Sequence, residues 1–277
     1  MLLTSGPVRL TRLQHSADDL VELTKHVSSS AFGETYSRII DDALESAEGL
    51  AHVLDEVQLS THFTDYPYYR LGAISSQLEQ VAKVIGGRQS FENERDAFFV
   101  SSSIAWDSHV SVDENWPHRV GVGHLWEGVN SALSSFVAEM KAQGMWESVT
   151  LVMGSEFGRA LPSNGRGTDH GWGGHAFVVG GAVKGGQILG QYPEDLHVNA
   201  ATRLHSSIIP TLSHEATWHA LAQWLGVEDD AMEEVLPNKR NFECTGRMGC
   251  GLLIKGDMFK TASAPSPPTS TPNDGLR

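Results

Sequence analysis

The stretch MGSEFGRALPSNGRGTDHGWGGHAFVVGGAVKGG, residues 153 to 186, limits what this chain can fold into more than any other. Glycine returns every few positions, from Gly154 through Gly186. Such a segment cannot fill a core, but it can turn sharply and let other backbone approach closely. The polar residues spread among the glycines carry chemistry: Ser155, Glu156, Arg159, Asn164, Asp169 and His170. An acid, a base and a guanidinium with little bulk around them read as half of a metal and oxyanion site.

The flanks of this segment define the fold class. Residues 17 to 57 read as helical, with Tyr36, Ile39, Ile40, Ala43, Leu44, Ala47 and Leu50 recurring at three- and four-residue steps. A second helix is predicted in ISSQLEQVAKVIGG, with Ile74, Leu78, Val81 and Ile85 on one face and Gly86-Gly87 as its stop. DAFFVSS (Asp96 to Ser102), SVTLVM (Ser148 to Met153) and HAFVVGG (His175 to Gly181) read as buried strands. Between the first two lies a long amphipathic helix at about 119 to 143. A last helix spans about 214 to 225, with Ser213 as its N-cap and Gly226 just past its end. Alternating strands and helices predict an α/β fold with a mainly parallel sheet. From Ala262 onward, ASAPSPPTSTPNDGLR is too rich in Pro, Ser and Thr to bury a core, and disorder is expected there.

Charge and apolar content narrow the partners. Acidic residues outnumber basic ones 34 to 20, for a net charge of −14, which disfavours nucleic acid and anionic membrane surfaces. No apolar run reaches the roughly 18 residues of a membrane span. The start, MLLTSGPVRLTRLQHS, has no continuous apolar stretch of the kind a signal peptide needs, and compartment is left open. Cys244 and Cys250 are spaced for a small disulfide loop, and two free thiols fit equally well.

Three polar clusters fall at the expected strand ends. Asp107 and His109 follow DAFFVSS, and residues two apart in an extended segment point the same way. Glu156 and Arg159 follow SVTLVM, and Asp169-His170 precede HAFVVGG. In parallel α/β sheets the crevice beyond the strands' carboxyl ends is where ligands bind. Carboxylates with imidazoles suit zinc, manganese or iron better than calcium. A guanidinium beside them suits a phosphate or sulfate oxyanion. Each cluster alone has an ordinary explanation as solvated surface, a Glu–Arg pair or a turn. Six further imidazoles, His118, His124, His175, His205, His214 and His219, read as scaffold more readily than as ligands.

These blocks also resemble a known family. LGAISSQLEQVAKVIGGR through DAFFVSSSIAWDSH, then VTLVMGSEFGRALPSNGRGTDHGWGGHAFVVGGAVKGGQILGQYP, then IIPTLSHEATWHALAQWLGV with VLPNKRNF, resemble in order the domain-of-unknown-function family 1501. The resemblance runs from about Leu71 to Phe242, and the family's members look like alkaline phosphatases and sulfatases. It implies an alkaline-phosphatase-like α/β/α sandwich, acting on phosphate or sulfate esters through a divalent metal ion. By position, Asp107, His109, Glu156, Asp169 and His170 resemble metal ligands, with Arg159 as the catalytic guanidinium. Phe157 stands where better-studied relatives ligate through His, and Ala160 where Thr is usual. The Gly-Gly-Asn-Asp-type loop that opens family members has no counterpart before Leu71. On that reading residues 1–90 are a helical segment, 91–243 the C-terminal part of the sandwich domain, and 244–277 a Cys-containing tail. The substrate is then a small anionic ester, and a missing N-terminal segment is expected. The competing expectation is an inactive relative that serves as a binding or assembly module.

Overall fold

A computed structural model of the 277-residue chain describes residues 19, 21–22, 24–25, 29–64, 74–91, 95–102, 106–110, 121–197, 203–204, 206–244 and 250–261. Helix α1 covers Ala31–Glu56 and starts at Ser30, whose Oγ accepts from the Gly33 N–H at 3.4 Å. Only its C-terminal end is buried, at Ala51 and Leu54, where it meets Val84 of the next helix. That helix, α2, spans Ile74–Gly86, and a single turn, α3, follows at Arg88–Phe91. Helix α4 runs Val122–Ala142, and the predicted start at 119 lies outside the described residues.

Besides the Leu54–Val84 contact, two larger apolar clusters among the described residues hold the molecule together. In the first, Leu78, Val81, Ala82 and Ile85 of α2 pack against Ala132, Phe136 and Met140 of α4, with Phe63 joining from the intervening chain. Full burial of such a side chain is worth about 1.5–3 kcal/mol. The buried Glu139 carboxylate accepts from the Thr61 N–H at 2.7 Å and from Gln143 Nε2 at 2.9 Å, tying the chain after α1 onto α4.

Strands β1 (Thr150–Met153) and β4 (Phe177–Gly180) pair with each other, Thr150 opposite Gly180 and Met153 opposite Phe177. Side chains alternate along a strand. Leu151 therefore packs against the α2–α4 cluster, while Val152 and Val178 turn to the second cluster. The second cluster is built by Ala220 and Leu221 of α5 (His214–Trp224) with Met258 and Phe259, and has helix α6 (Met232–Val235) nearby in sequence. Burial on both sides explains why β1 reads as a continuous apolar run.

The sheet differs from the expected parallel one. Among the described residues the strand pairs β1–β4, β2–β3 (Gly158–Ser163 with Thr168–Gly171) and β5–β6 (Arg203–Leu204 with Ser207–Ile208) are all antiparallel. A parallel pair needs a crossover, usually helical. Between Met153 and Phe177 the chain forms the β2–β3 hairpin instead, so β4 returns beside β1 in the opposite direction. DAFFVSS, residues 96–102, has no regular secondary structure and pairs with no strand among the described residues. Its partner is a side chain: the buried Gln77 donates through Nε2 to Ser101 O at 2.8 Å and accepts from Ser101 N at 3.0 Å. One carboxamide thus replaces one rung of a ladder.

Helix α5 keeps its predicted ends, with Ser213 Oγ accepting from Ala216 N at 3.2 Å and Gly226 at φ 85° just beyond. Cys244 and Cys250 form a disulfide, which decides between the two thiol readings. Beyond Cys250, inside the segment expected to be a tail, the chain packs back onto the second cluster. Helix α7 (Lys255–Met258) leads into Phe259, which bridges to Val183, and Lys184 N–H and Lys260 N–H bond to Met258 O and Ala182 O. The stretch from Ala262, expected to be disordered, lies outside the described residues.

Candidate metal centre

The glycine-rich segment forms a hairpin whose turn is set by Asn164. Its Oδ1 accepts from the N–H groups of Arg166 (3.1 Å) and Gly167 (2.8 Å), a local bond that favours Asn in turns. Gly165 adopts φ +92°, which disfavours any residue with a Cβ. A Cβ on Gly167 would lie 2.0 Å from Ser108 O, so the missing side chain is what lets residues 106–110 lie against the hairpin. The contact is fastened by Thr168 N–H donating to Ser108 O at 3.2 Å. Arg159 sits directly opposite His170 in the β2–β3 register, so both side chains share a face.

On that face Asp107 Oδ1 collects three partners: Arg159 Nη2 at 2.6 Å, His170 Nε2 at 3.0 Å and His109 Nε2 at 3.2 Å. Ligand atoms of Asp107, His109 and His170 all lie within 4.8 Å of one another. In a tetrahedral zinc site with bonds of about 2.0–2.1 Å, neighbouring ligand atoms stand roughly 3.3 Å apart. The donor set and its spacing therefore fit such an ion. The same separations are hydrogen-bond lengths, so they also suit an Asp–His network without one.

Around this trio runs a second set of contacts. His109 Nδ1 is 3.1 Å from Asp169 Oδ1, and Asn164 Nδ2 donates to that same oxygen at 3.1 Å and to His109 O at 3.1 Å. The His109 and His170 rings are 4.7 Å apart, and Phe157 stacks on His170 with centroids 4.1 Å apart. The Arg159 guanidinium, then the His170 bond, holds the Asp107 carboxyl below its ordinary range. Asn164 foremost, then His109, does the same for Asp169. The Asp107, His109, Asp169 and His170 side chains are open to water, and both carboxylates are anionic at neutral pH.

Of the residues singled out in the sequence, the fold brings Asp107, His109 and His170 together and sets Asp169 one contact further out. Glu156 is not part of the trio; it is exposed and accepts from Ser155 Oγ at 3.2 Å. Arg159 faces inward: besides Asp107 it donates to Thr168 O (2.9 Å) and Trp106 O (3.1 Å). These bonds clamp the Asp107 segment to the hairpin. His124 pairs with Glu127 at 3.0 Å, His175 stacks on Tyr192, and the buried His219 bonds to Leu253 O through Nδ1 at 2.8 Å. His118 and His205 lie outside the described residues. Sequence reasoning assigns Asn164 no specific role in the site. Its position before Gly165 in a Ser-Asn-Gly turn was the available signal.

Fold and site together define a mixed α/β protein with small antiparallel sheets and an Asp–His–His cluster on a glycine-rich hairpin. Residues 9–223 match the family described as "Protein of unknown function (DUF1501)", and the chain belongs to that family. The match begins well before Leu71 and so takes in α1 as well. No curated protein and no solved structure matches the chain.

Proposed function

We propose that this chain is a metal-dependent hydrolase-like domain of the alkaline phosphatase and sulfatase type, acting on small phosphate or sulfate esters. Asp107, His109 and His170 would hold a zinc, manganese or iron ion. The observation that carries this reading is the convergence of one carboxylate and two imidazoles from two distant segments. The sequence resemblance and the helices on both faces of β1 support the sandwich assignment, while the antiparallel β1–β4 pair departs from its parallel sheet. A bound cation would polarise an ester oxygen and lower the pKa of a bound water. The protein's part is to hold the donors. Arg159 fixes Asp107 while tying its segment to the hairpin, and the stacked Phe157 limits rotation of His170.

The test is metal content by elemental analysis, with aryl phosphate and aryl sulfate hydrolysis across zinc, manganese and iron. About one equivalent of metal, lost in His170→Ala together with turnover, is expected. A metal-free protein without hydrolysis would overturn the reading. That result would favour an inactive relative acting as a binding or assembly module, a reading to which Glu156 standing apart and the inward-bonded Arg159 already lend support.

A further inference from the structure

We infer that Asp169 is a positioning residue for His109, and that Asn164 holds Asp169 in that role. The inference rests on the proposed metal trio and extends it to the contacts behind one ligand. An imidazole can ligate through one nitrogen only if that nitrogen carries no proton, and its other nitrogen decides this. His109 turns Nε2 toward Asp107 and the trio, while Nδ1 faces Asp169 Oδ1 at 3.1 Å. Asn164 Nδ2 donates to that same carboxylate oxygen at 3.1 Å. An ionised carboxylate can only accept, so Asp169 draws the ring hydrogen to Nδ1 while the Asp107 carboxylate, 3.2 Å from Nε2, competes for it; a cation held between Asp107 and Nε2 would end that competition and take the Nε2 lone pair. Carboxylate–histidine–metal arrangements of this kind orient the ring and raise its basicity.

Asn164 makes the arrangement rigid. One side chain uses Oδ1 to build the hairpin turn and Nδ2 to bond both Asp169 Oδ1 and the His109 carbonyl. The turn, the carboxylate and the backbone of the ligand are thereby fixed to one another. Asp169 and His170, adjacent on β3, then divide the work: Asp169 sets the tautomer of one imidazole, and His170 supplies the other.

The experiment uses the full chain. Long-range nitrogen–proton spectra of the His109 ring in metal-free protein report the tautomer, and zinc titration reports affinity. The unaltered protein is expected to favour a ring hydrogen on Nδ1, and removing the Asp169 carboxylate should leave the hydrogen on Nε2, facing Asp107. Asp169→Ala should lose that preference and weaken zinc binding 10- to 100-fold. Asp169→Glu should recover part of both, and Asn164→Ala should shift both in the same direction by less. Unchanged tautomer and affinity in Asp169→Ala would overturn the inference. So would a loss of zinc as complete as in His109→Ala, which would make Asp169 a ligand. If the unaltered protein binds no zinc yet Asp169→Ala changes the tautomer, the metal reading fails while Asp169's control of the His109 ring stands. Comparable melting of all variants shows that each has folded.

Discussion

The α2–α4 layer and the β2–β3 hairpin are held by opposite means. In the helical layer, Leu78, Ala82, Phe136 and Met140 are almost entirely sealed from water and polar groups are few. In the hairpin, Asp107, His109, Asp169 and His170 are all substantially exposed, and their geometry comes from hydrogen bonds among carboxylates, imidazoles, a guanidinium and one asparagine. Surface ion pairs of this kind contribute little to stability. The contrast teaches that stability and the candidate chemistry reside in different parts of the chain. Altering the site should leave the fold standing, and altering the core should remove both.

The largest effect that could break this contrast comes from the core. Phe136→Ala opens a cavity beside Ala82 and Met140 and should cost about 3–5 kcal/mol in denaturant unfolding. A shift as small as a surface substitution would mean that the helical layer does not hold the molecule. Next in size is Gln77→Ala, which leaves the N–H and C=O of Ser101 without their carboxamide. A loss of about 1–3 kcal/mol is expected from the same unfolding curves, and a neutral result would remove Gln77 as the partner of the 95–102 segment. The smallest effect lies in the site. Asp107 has its folded pKa below the ordinary value, because Arg159 and His170 donate to its charged form. Its contribution is therefore present at neutral pH and fades as pH falls below the ordinary carboxylate range through the lowered folded value. In metal-free protein, the melting temperatures of the unaltered chain and Asp107→Asn should differ slightly at pH 7 and converge in strong acid. A difference that widens in acid would reverse the sign and sink the assignment.

What could be read from the sequence divides along the same line. The period of apolar residues in α2, α4 and α5 is a local property, and Ser213 and Gly226 mark α5 because caps act over three or four residues. Strand direction is not local. VTLVM and AFVVG look identical whether they run alongside or against each other, and only the hairpin between them decides. The 95–102 segment carries strand-forming residues, yet its rung comes from a glutamine that periodicity places on a helix. In the site, Asp107, His109 and His170 stand out because carboxylate and imidazole recur together in short segments beside the expected strands. Glu156 has the same chemistry, but which way a turn points its side chain is written in φ and ψ and not in residue type. Asn164 is harder to place because turn formation alone accounts for it, and a side chain with two polar ends can serve two roles at once.

The two apolar clusters also differ in when they can be completed. The first draws on residues from Leu59 to Leu151, whereas the second cannot close until Met258 and Phe259 arrive beside Ala220 and Val183. A chain made from its N-terminus can seal the α2–α4 side early and must leave the other side of β1 and β4 bare until Met258 and Phe259 have been added. During that interval Val152 and Val178 form a sticky face, and the short helix α7 with Phe259 acts as the late cover that ends the exposure.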